Sequence, residues 1–269
     1  MTLPVAMSIA GSDSGAGAGI QADLKTFAAF GIYGVTVITA ITAQNTVGVR
    51  AIQEIDADVI AAQLDAVAED FPISALKTGM LSSVAIIETV AAGLQRHRLR
   101  PLVVDPVMIA KSGDRLLRED AVDALRRRLI PLAEVVTPNI PEAEVLAGRR
   151  INTWDDRLAA ARAIMALGAK AVVIKGGHSP DDPIVDLLVD RQGVHEYSAA
   201  RIVTTSTHGT GCTFSAAIAA GLAMGRELPD AVSGAREYLS HALATAPGLG
   251  HGHGPLNHAA AAEVARAHH

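Results

Sequence analysis

The residues Thr207-His208-Gly209-Thr210-Gly211-Cys212 stand directly before an alanine-rich run with helical spacing. The first backbone N–H groups of a helix have no partner within it. Glycines permit a tight turn that aims those groups inward and lets an anion approach closely. Such a turn suits phosphoryl oxygens, whose charge is stabilised by donors fixed in advance; its plainer reading is a tight strand-to-helix joint. Cys212 sits at or beside the same terminus, where the local field is expected to favour a thiolate. It reads equally as a base for an attacking hydroxyl or as a small buried apolar residue. No Gly-Lys-Ser or Gly-Lys-Thr phosphate loop occurs anywhere. Gly15-Ala16-Gly17-Ala18-Gly19 lacks the acidic residue at a second strand end that a dinucleotide-binding loop needs.

Other chemistry-bearing residues lie at the ends of apolar runs. Asp105 closes Leu102-Val103-Val104, so its charge either faces a pocket or is buried at a cost. Asn139 and Glu142 follow the next short run, with Pro138 and Pro141 stiffening the turn. Asp105 and Glu142 are candidates to hold Mg2+ directly or through water. The alternatives are a helix cap for Asn139 and a surface position for Glu142. Lys175, before Gly176-Gly177, is placed either to reach a nucleotide phosphate or to sit exposed in a turn. His251, His253 and His258 lie in a glycine-rich tail that makes no persuasive zinc site; it reads as mobile surface or as a segment that closes over a ligand.

The elements that must position these residues alternate. Apolar runs at 5–10, 35–41, 75–77, 102–105, 135–136 and 171–175 read as strands. Helical periods at 20–30, 58–71, 84–95, 121–129, 142–146, 212–225 and 229–245 separate them, and Val49 to Ile55 reads as a short further strand. Thr153 and Asp156 have capping-box spacing for a helix ending near Leu167. Ile184 to Val189 and Val194 to Tyr197, joined by Asp190-Arg191-Gln192-Gly193, read as a hairpin. A final short helix is expected after the tail. The pattern predicts an α/β fold with a mainly parallel sheet covered on both faces and a small antiparallel edge. With no long linker or repeat, residues 1–269 read as one domain. Ligands of open parallel sheets bind at the carboxyl ends of strands, which is where Gly11 to Asp13, Gln44, Met80, Asp105, Asn139, Lys175 and Gly176 fall.

Bulk properties narrow the function. A formal charge of −5 argues against nucleic acid as a partner. Aromatics are only 3% of the chain, so Ala, Val, Ile and Leu must fill the core. The single cysteine forbids an internal disulfide, which fits a reducing, cytoplasmic setting. The start of the chain lacks signal-peptide features, and no apolar run is long enough to span a membrane.

Taken together, the ordered motifs Ile9-Ala10-Gly11-Ser12-Asp13-Ser14, Gly17 to Thr26, Thr39 to Thr46, Lys77-Thr78-Gly79-Met80-Leu81, Asp105-Pro106-Val107-Met108, Ala110-Lys111-Ser112-Gly113, Thr137-Pro138-Asn139 with Pro141-Glu142, Lys175-Gly176-Gly177-His178 and Thr207 to Cys212 carry a resemblance. The chain closely resembles, over nearly its whole length, the bacterial hydroxymethylpyrimidine and phosphomethylpyrimidine kinases of thiamine biosynthesis, within the ribokinase-like superfamily. The resemblance implies a three-layer α/β/α fold and ATP-dependent phosphorylation of 4-amino-5-hydroxymethyl-2-methylpyrimidine, then of its monophosphate, with ATP and Mg2+ required. It implies a homodimer. It assigns the pyrimidine to Gly11, Ala18, Asp23, Gln44, Met80 and Val107, with Gln44 reading the ring nitrogen and exocyclic amine, since an amide both donates and accepts. It assigns Asp105 and Glu142 to magnesium, and Asn139 and Lys175 to the nucleotide phosphates. Gly209, Thr210, Gly211 and Cys212 would form the anion hole, with Cys212 as base. Arg236 stands where relatives carry lysine near the phosphates, and Ala16 where many carry glycine. Lys111-Ser112-Gly113-Asp114 is expected to act as a flap. Rival readings are a pyridoxal or pyridoxine kinase, a non-catalytic nucleotide or vitamer sensor, and a structural metal protein using the histidine tail.

Overall fold

The computed structural model describes residues 3–108, 113, 116–178 and 182–259. The expected flap at 111–114, apart from Gly113, and the expected terminal helix beyond 259 lie outside these residues. So do His268 and His269.

Nine strands form one sheet. In chain order they are β1 (Val5–Asp13), β2 (Tyr33–Gln44), β3 (Val49–Glu54), β4 (Ile73–Thr78), β5 (Leu102–Val104), β6 (Val135–Val136), β7 (Ala171–Ile174), β8 (Ile184–Val189) and β9 (Val194–Ala199). The order across the sheet is β3-β2-β1-β4-β5-β6-β7-β8-β9. The six strands from β2 to β7 are parallel. The β8–β9 hairpin runs antiparallel beside β7, as the sequence predicts. A second antiparallel pair was not foreseen: β3 turns back on β2 at the opposite edge. The loop at Asn45 makes this possible, because its Oδ1 accepts from the Val47 and Gly48 N–H groups and reverses the chain.

The helices are α1 (Gly19–Ala29), α2 (Ala57–Asp70), α3 (Val84–Arg96), α4 (Glu119–Ala124), α5 (Ile140–Ala147), α6 (Trp154–Met165), α7 (Thr210–Ala223) and α8 (Leu228–Ala244). The helix expected over 121–129 does not continue regularly: α4 passes at Leu125 into a π-helical turn and then a 3-10 turn ending at Leu132, where Pro131 rules out a regular helical bond. The Thr153–Asp156 capping box is present at the start of α6.

Alternation along the strands builds two cores. Val5, Met7 and Ile9 of β1 point into one, with residues of α2 to α6; Ala6 points into the other, with α1, α7 and α8. The second layer is packed through small residues. A methyl group on Gly221 of α7 would lie 2.8 Å from the Ala231 Cβ of α8. With few aromatics available, close helix approach replaces large side chains as the means of filling space. Among the described residues, no helix is long and apolar enough to cross a membrane.

Candidate active site

The parallel strands end on one edge, and a cavity of about 690 Å³ opens there. Gly11, Ala18, Gln44, Met80, Val107 and Asp105 all line it. So do Asn139, Glu142, Lys175, Arg236 and the whole turn from Gly209 to Cys212. Residues up to 225 positions apart in sequence are therefore brought to one place by strand ends and the α7 N-terminus.

Gly209 is the N-cap of α7, with φ 80°. That conformation costs little for glycine and is strained for any other residue. Its Cα packs directly on the Gly17 carbonyl, into which an added Cβ would run. The N–H groups of Thr210, Gly211 and Cys212 make no hydrogen bond among the described residues. They face a cavity that also holds a lysine: a methyl placed on Gly211 would lie 3.4 Å from Lys175 Nζ and 3.6 Å from Asp105 Oδ2.

Asp105 is 2% exposed. Its Oδ1 pairs with Lys175 Nζ at 3.1 Å, and its Oδ2 accepts from Ser215 Oγ at 3.2 Å. Burial opposes the charge on Lys175, but Asp105 and Glu142 outweigh it and hold the lysine above its usual range. Lys175 is therefore a charged side chain inside the cavity, and the exposed-turn alternative does not hold.

Asn139 and Glu142 form a capping box at the start of α5: Asn139 Oδ1 accepts from the Glu142 N–H at 2.9 Å, and Glu142 Oε2 accepts from the Asn139 N–H at 2.8 Å. The helix-cap alternative for Asn139 is therefore realised, while its amide Nδ2 stays available to a ligand. Glu142 is not a surface residue. Burial pushes its carboxyl up to about 7; Lys175 opposes the rise and the Asp105 charge adds to it. Two carboxylates face one cavity, and their repulsion is only partly relieved by Lys175. That donor set fits a hard divalent cation. Among the described residues no three metal-binding side chains come together, so these two carboxylates with water and substrate phosphates are what Mg2+ would find here.

Two sequence expectations need correction. Asp23 does not reach the cavity. It lies on the buried face of α1, fully enclosed, with both carboxylate oxygens on Lys77 Nζ at 2.8 and 2.9 Å and Oδ2 also accepting from Ser8 Oγ. Cys212 is not a preformed thiolate. Burial pushes its thiol up to about 11, which the nearby Lys77 ammonium and the Gly19 N–H oppose without overcoming. The field of a helix terminus is worth about 1 kcal/mol, less than the desolvation of a charge.

Arg236 on α8, expected near the phosphates, lines the cavity but is paired with Asp186 of β8 at 3.2 Å; Asp186, a residue the sequence did not single out, accepts through Oδ1 from the Gly176 N–H at 2.7 Å. Ile184, Ile202, Leu239 and Leu243 make an apolar end to the cavity beyond Lys175. The glycine–histidine segment before 259 is not loose surface. His253 N–H donates to Thr46 O, Asn257 N–H to Ala242 O, and His258 Nε2 bonds Thr213 Oγ1 of α7 at 2.9 Å. Burial lowers His258 to about 4, so it is neutral and acts as an anchor.

A family model for phosphomethylpyrimidine kinase matches residues 13–257. A hydroxymethylpyrimidine/phosphomethylpyrimidine kinase of Rhizobium meliloti is 54% identical over 257 residues, covering 94% of this chain and 96% of that protein. The thiamine biosynthesis bifunctional protein ThiED of Geobacter sulfurreducens is 50% identical over 260 residues; the match takes in 97% of this chain but only 53% of that longer protein. Among solved structures, an ADP complex of Bacillus subtilis pyridoxal kinase superposes with a TM-score of 0.89 at 42% identity, covering 96% of this chain and 98% of the other. The shared architecture is the ribokinase-like fold.

Proposed function

The chain belongs to the phosphomethylpyrimidine kinase family, and we propose that it transfers the γ-phosphoryl group of ATP to the hydroxymethyl group of 4-amino-5-hydroxymethyl-2-methylpyrimidine, and then a second phosphoryl group to the monophosphate. The observation that carries this reading is the meeting of the Gly209 to Cys212 turn with Lys175, Asp105 and Glu142 in one cavity. Unfilled N–H donors, a fixed cation and paired carboxylates are the parts phosphoryl transfer needs.

The cavity divides along its length. Gly11, Ala18, Gln44, Met80 and Val107 form the acceptor end. The Met80 methyl lies over Gly11, where an added Cβ would come within 2.6 Å of it, giving a flat apolar wall for a ring. Gln44 Oε1 accepts from Thr42 Oγ1 at 3.1 Å, which holds in place the amide that would read the ring's nitrogen and amine. The apolar end at Ile184, Ile202 and Leu239 suits a nucleobase, and Asn139 Nδ2 and Lys175 Nζ lie between, where the phosphates would run. Arg236 contributes by holding Asp186, and through it the Gly176 N–H, in place. Mg2+ at Asp105 and Glu142 would neutralise charge on the phosphates. The turn N–H groups stabilise the equatorial oxygens in transit. The exposed apolar side chains of Ile41, Val47 and Ile52 at the β2–β3 edge suit a homodimer, and the whole chain reads as one cytoplasmic kinase domain.

Cys212 is the candidate acceptor of the hydroxyl proton. At pH 7 a thiol near pKa 11 is ionised in roughly one molecule in 10⁴, so that role requires bound substrate to draw the proton off first. The second reaction has an ionised phosphate as nucleophile and needs no base. Cys212→Ala is therefore expected to slow phosphorylation of the alcohol by about 10²-fold or more, and that of the monophosphate by far less. Equal losses in a folded variant would remove the base assignment.

A substrate panel tests the function: the alcohol, its monophosphate, pyridoxal and pyridoxine, each with ATP, followed by ADP release and product mass. Turnover of both pyrimidines is expected. Turnover of the B6 vitamers alone would overturn the reading in favour of a pyridoxal kinase, and binding without turnover would favour a sensor.

A further inference from the structure

Asp13 and His208 have no part in the chemistry above, yet both line the cavity. They lie 195 residues apart in sequence and meet at 2.8 Å, His208 Nε2 to Asp13 Oδ2. The Asp13 carboxylate is saturated. Its Oδ1 accepts from the Gly15 N–H at 2.8 Å, and Oδ2 accepts also from the Gly17 N–H at 3.1 Å and the Ala18 N–H at 2.9 Å. Burial works against its charge, but the His208 and Ala18 hydrogen bonds win and hold the carboxyl below its usual range. An ionised carboxylate only accepts, so the imidazole carries its proton on Nε2. The other ring nitrogen, Nδ1, makes no hydrogen bond among the described residues.

The packing around this pair leaves no slack. A Cβ on Gly17 would run into the His208 ring, and one on Gly209, the next residue in the turn, would run into the Gly17 carbonyl. From the other side the His208 N–H donates to Gly254 O at 3.1 Å. Neighbouring Thr207 Oγ1 meets His253 Nδ1 at 3.3 Å, while the His253 N–H is held by Thr46 O, two residues beyond Gln44. One residue thus joins three pieces of backbone: the loop at 13–18, the turn that forms the cradle, and the glycine–histidine segment that reaches back to the Gln44 end. Among the described residues, His208 makes no hydrogen bond to Lys175, Asn139 or Arg236.

We propose that His208 is a positioning residue for phosphoryl transfer, which through Asp13 fixes the acceptor loop in register with the Gly209 to Cys212 cradle. The inference rests on the kinase reading above. In-line transfer needs the acceptor oxygen and the phosphoryl group within a fraction of an ångström of the reactive geometry, and a misplacement of about 1 Å costs roughly 10²-fold. Releasing the loop from the turn permits a shift of that size without removing any group that touches substrate.

The test compares His208→Ala, His208→Gln, Asp13→Asn and the double variant His208→Ala/Asp13→Asn with the unaltered protein, using both pyrimidine acceptors. His208→Ala is expected to lower kcat by about 10²-fold with both acceptors, with the KM for ATP changed by less than about threefold, inside the scatter of indirect effects. His208→Gln keeps an N–H at the Nε2 position and is expected to restore most of the loss. The double variant should be no worse than the poorer single one, because both substitutions cut the same link. The proposal fails if His208→Ala keeps its kcat, if His208→Gln is as poor as His208→Ala, if the losses multiply, or if the ATP KM rises in proportion. It also fails if His208→Gln is impaired with the alcohol alone, since the ring would then be exchanging a proton with the acceptor. Turnover by the unaltered protein reports on the kinase reading separately. Calorimetric titration with the pyrimidine alcohol, in which His208→Ala should bind more weakly and His208→Gln normally, reads the same link without turnover.

Discussion

Gly209→Ala will lose phosphoryl transfer almost entirely, with kcat reduced on the order of 10³-fold, while the protein remains folded. Two independent demands fall on this glycine. Its φ of 80° is one an alanine adopts only with strain, about 1–2 kcal/mol. Its added methyl would run into the Gly17 carbonyl, which belongs to backbone and cannot swing away as a side-chain end can. The turn must move, and the N–H groups of Thr210, Gly211 and Cys212 move with it. Their value lies in being aimed before the charge develops, so a tilt is nearly as damaging as their removal. Gly211→Ala is the control. Its added methyl projects toward Lys175 Nζ at 3.4 Å and Asp105 Oδ2 at 3.6 Å, ordinary contact distances. That variant keeps the turn and narrows the space for the phosphates, so it should raise the KM for ATP more than it lowers kcat. Steady-state kinetics on both, with circular dichroism to confirm folding, separates the two effects. A Gly209→Ala enzyme within tenfold of the unaltered kcat would show that the cradle is not where the transition state is held.

The parts legible in the sequence were the local ones. The cradle is six consecutive residues, and the Thr153–Asp156 box spans a single helical turn, so spacing alone carries their geometry. The strand ends were legible too, because apolar runs stop where a carboxylate, a proline or a glycine begins. What stayed hidden depends on pairing across the chain. His208 bonds a carboxylate 195 residues away, and the tail is held by Thr46 and Thr213. Glycine and histidine content speaks for mobility and says nothing about such partners. Cys212 was misread for a different reason: the helix terminus is visible in the sequence, whereas the burial that outweighs it is not. Asp23 was misassigned although a cue existed. Ile20, Asp23 and Phe27 fall on one helical face, the face that α1 buries, which places the carboxylate toward the core.

That burial sets the second large effect. Asp23 and Lys77 are both 0% exposed and 2.8 Å apart. Burial opposes charge on Lys77, but Asp23 overcomes it and holds the ammonium above the usual lysine range. Burial also pushes Asp23 upward, yet two bonds from Lys77 and one from Ser8 are those of an ionised carboxylate, so the pair is ionic. Removing one partner of such a pair costs about 3–5 kcal/mol, a large share of a domain's typical 5–15 kcal/mol. Asp23→Ala should show that loss in urea denaturation, because the ammonium is left without a carboxylate. Lys77→Met should be milder and depend on pH. An acid whose folded pKa is raised binds its proton more tightly folded than unfolded, so stability is greatest at low pH and falls as pH rises through the folded value. Lys77→Met should therefore lose less stability at pH 5 than at pH 8. Asp23→Leu with Lys77→Met removes both charges at similar volume and should recover most of the stability, as buried pairs replaced by apolar residues do. A double loss equal to the sum of the single losses would show that the two side chains do not act as a pair. Lys77→Met alone should also be the poorer kinase for the alcohol: Lys77 draws the Cys212 thiol downward while Asp23 pushes it up, so losing only the lysine holds the Cys212 proton more tightly. The double variant removes two opposed charges and should phosphorylate the alcohol faster than Lys77→Met. Equal rates in the two variants would show that the charge beneath the cysteine has no part in the transfer.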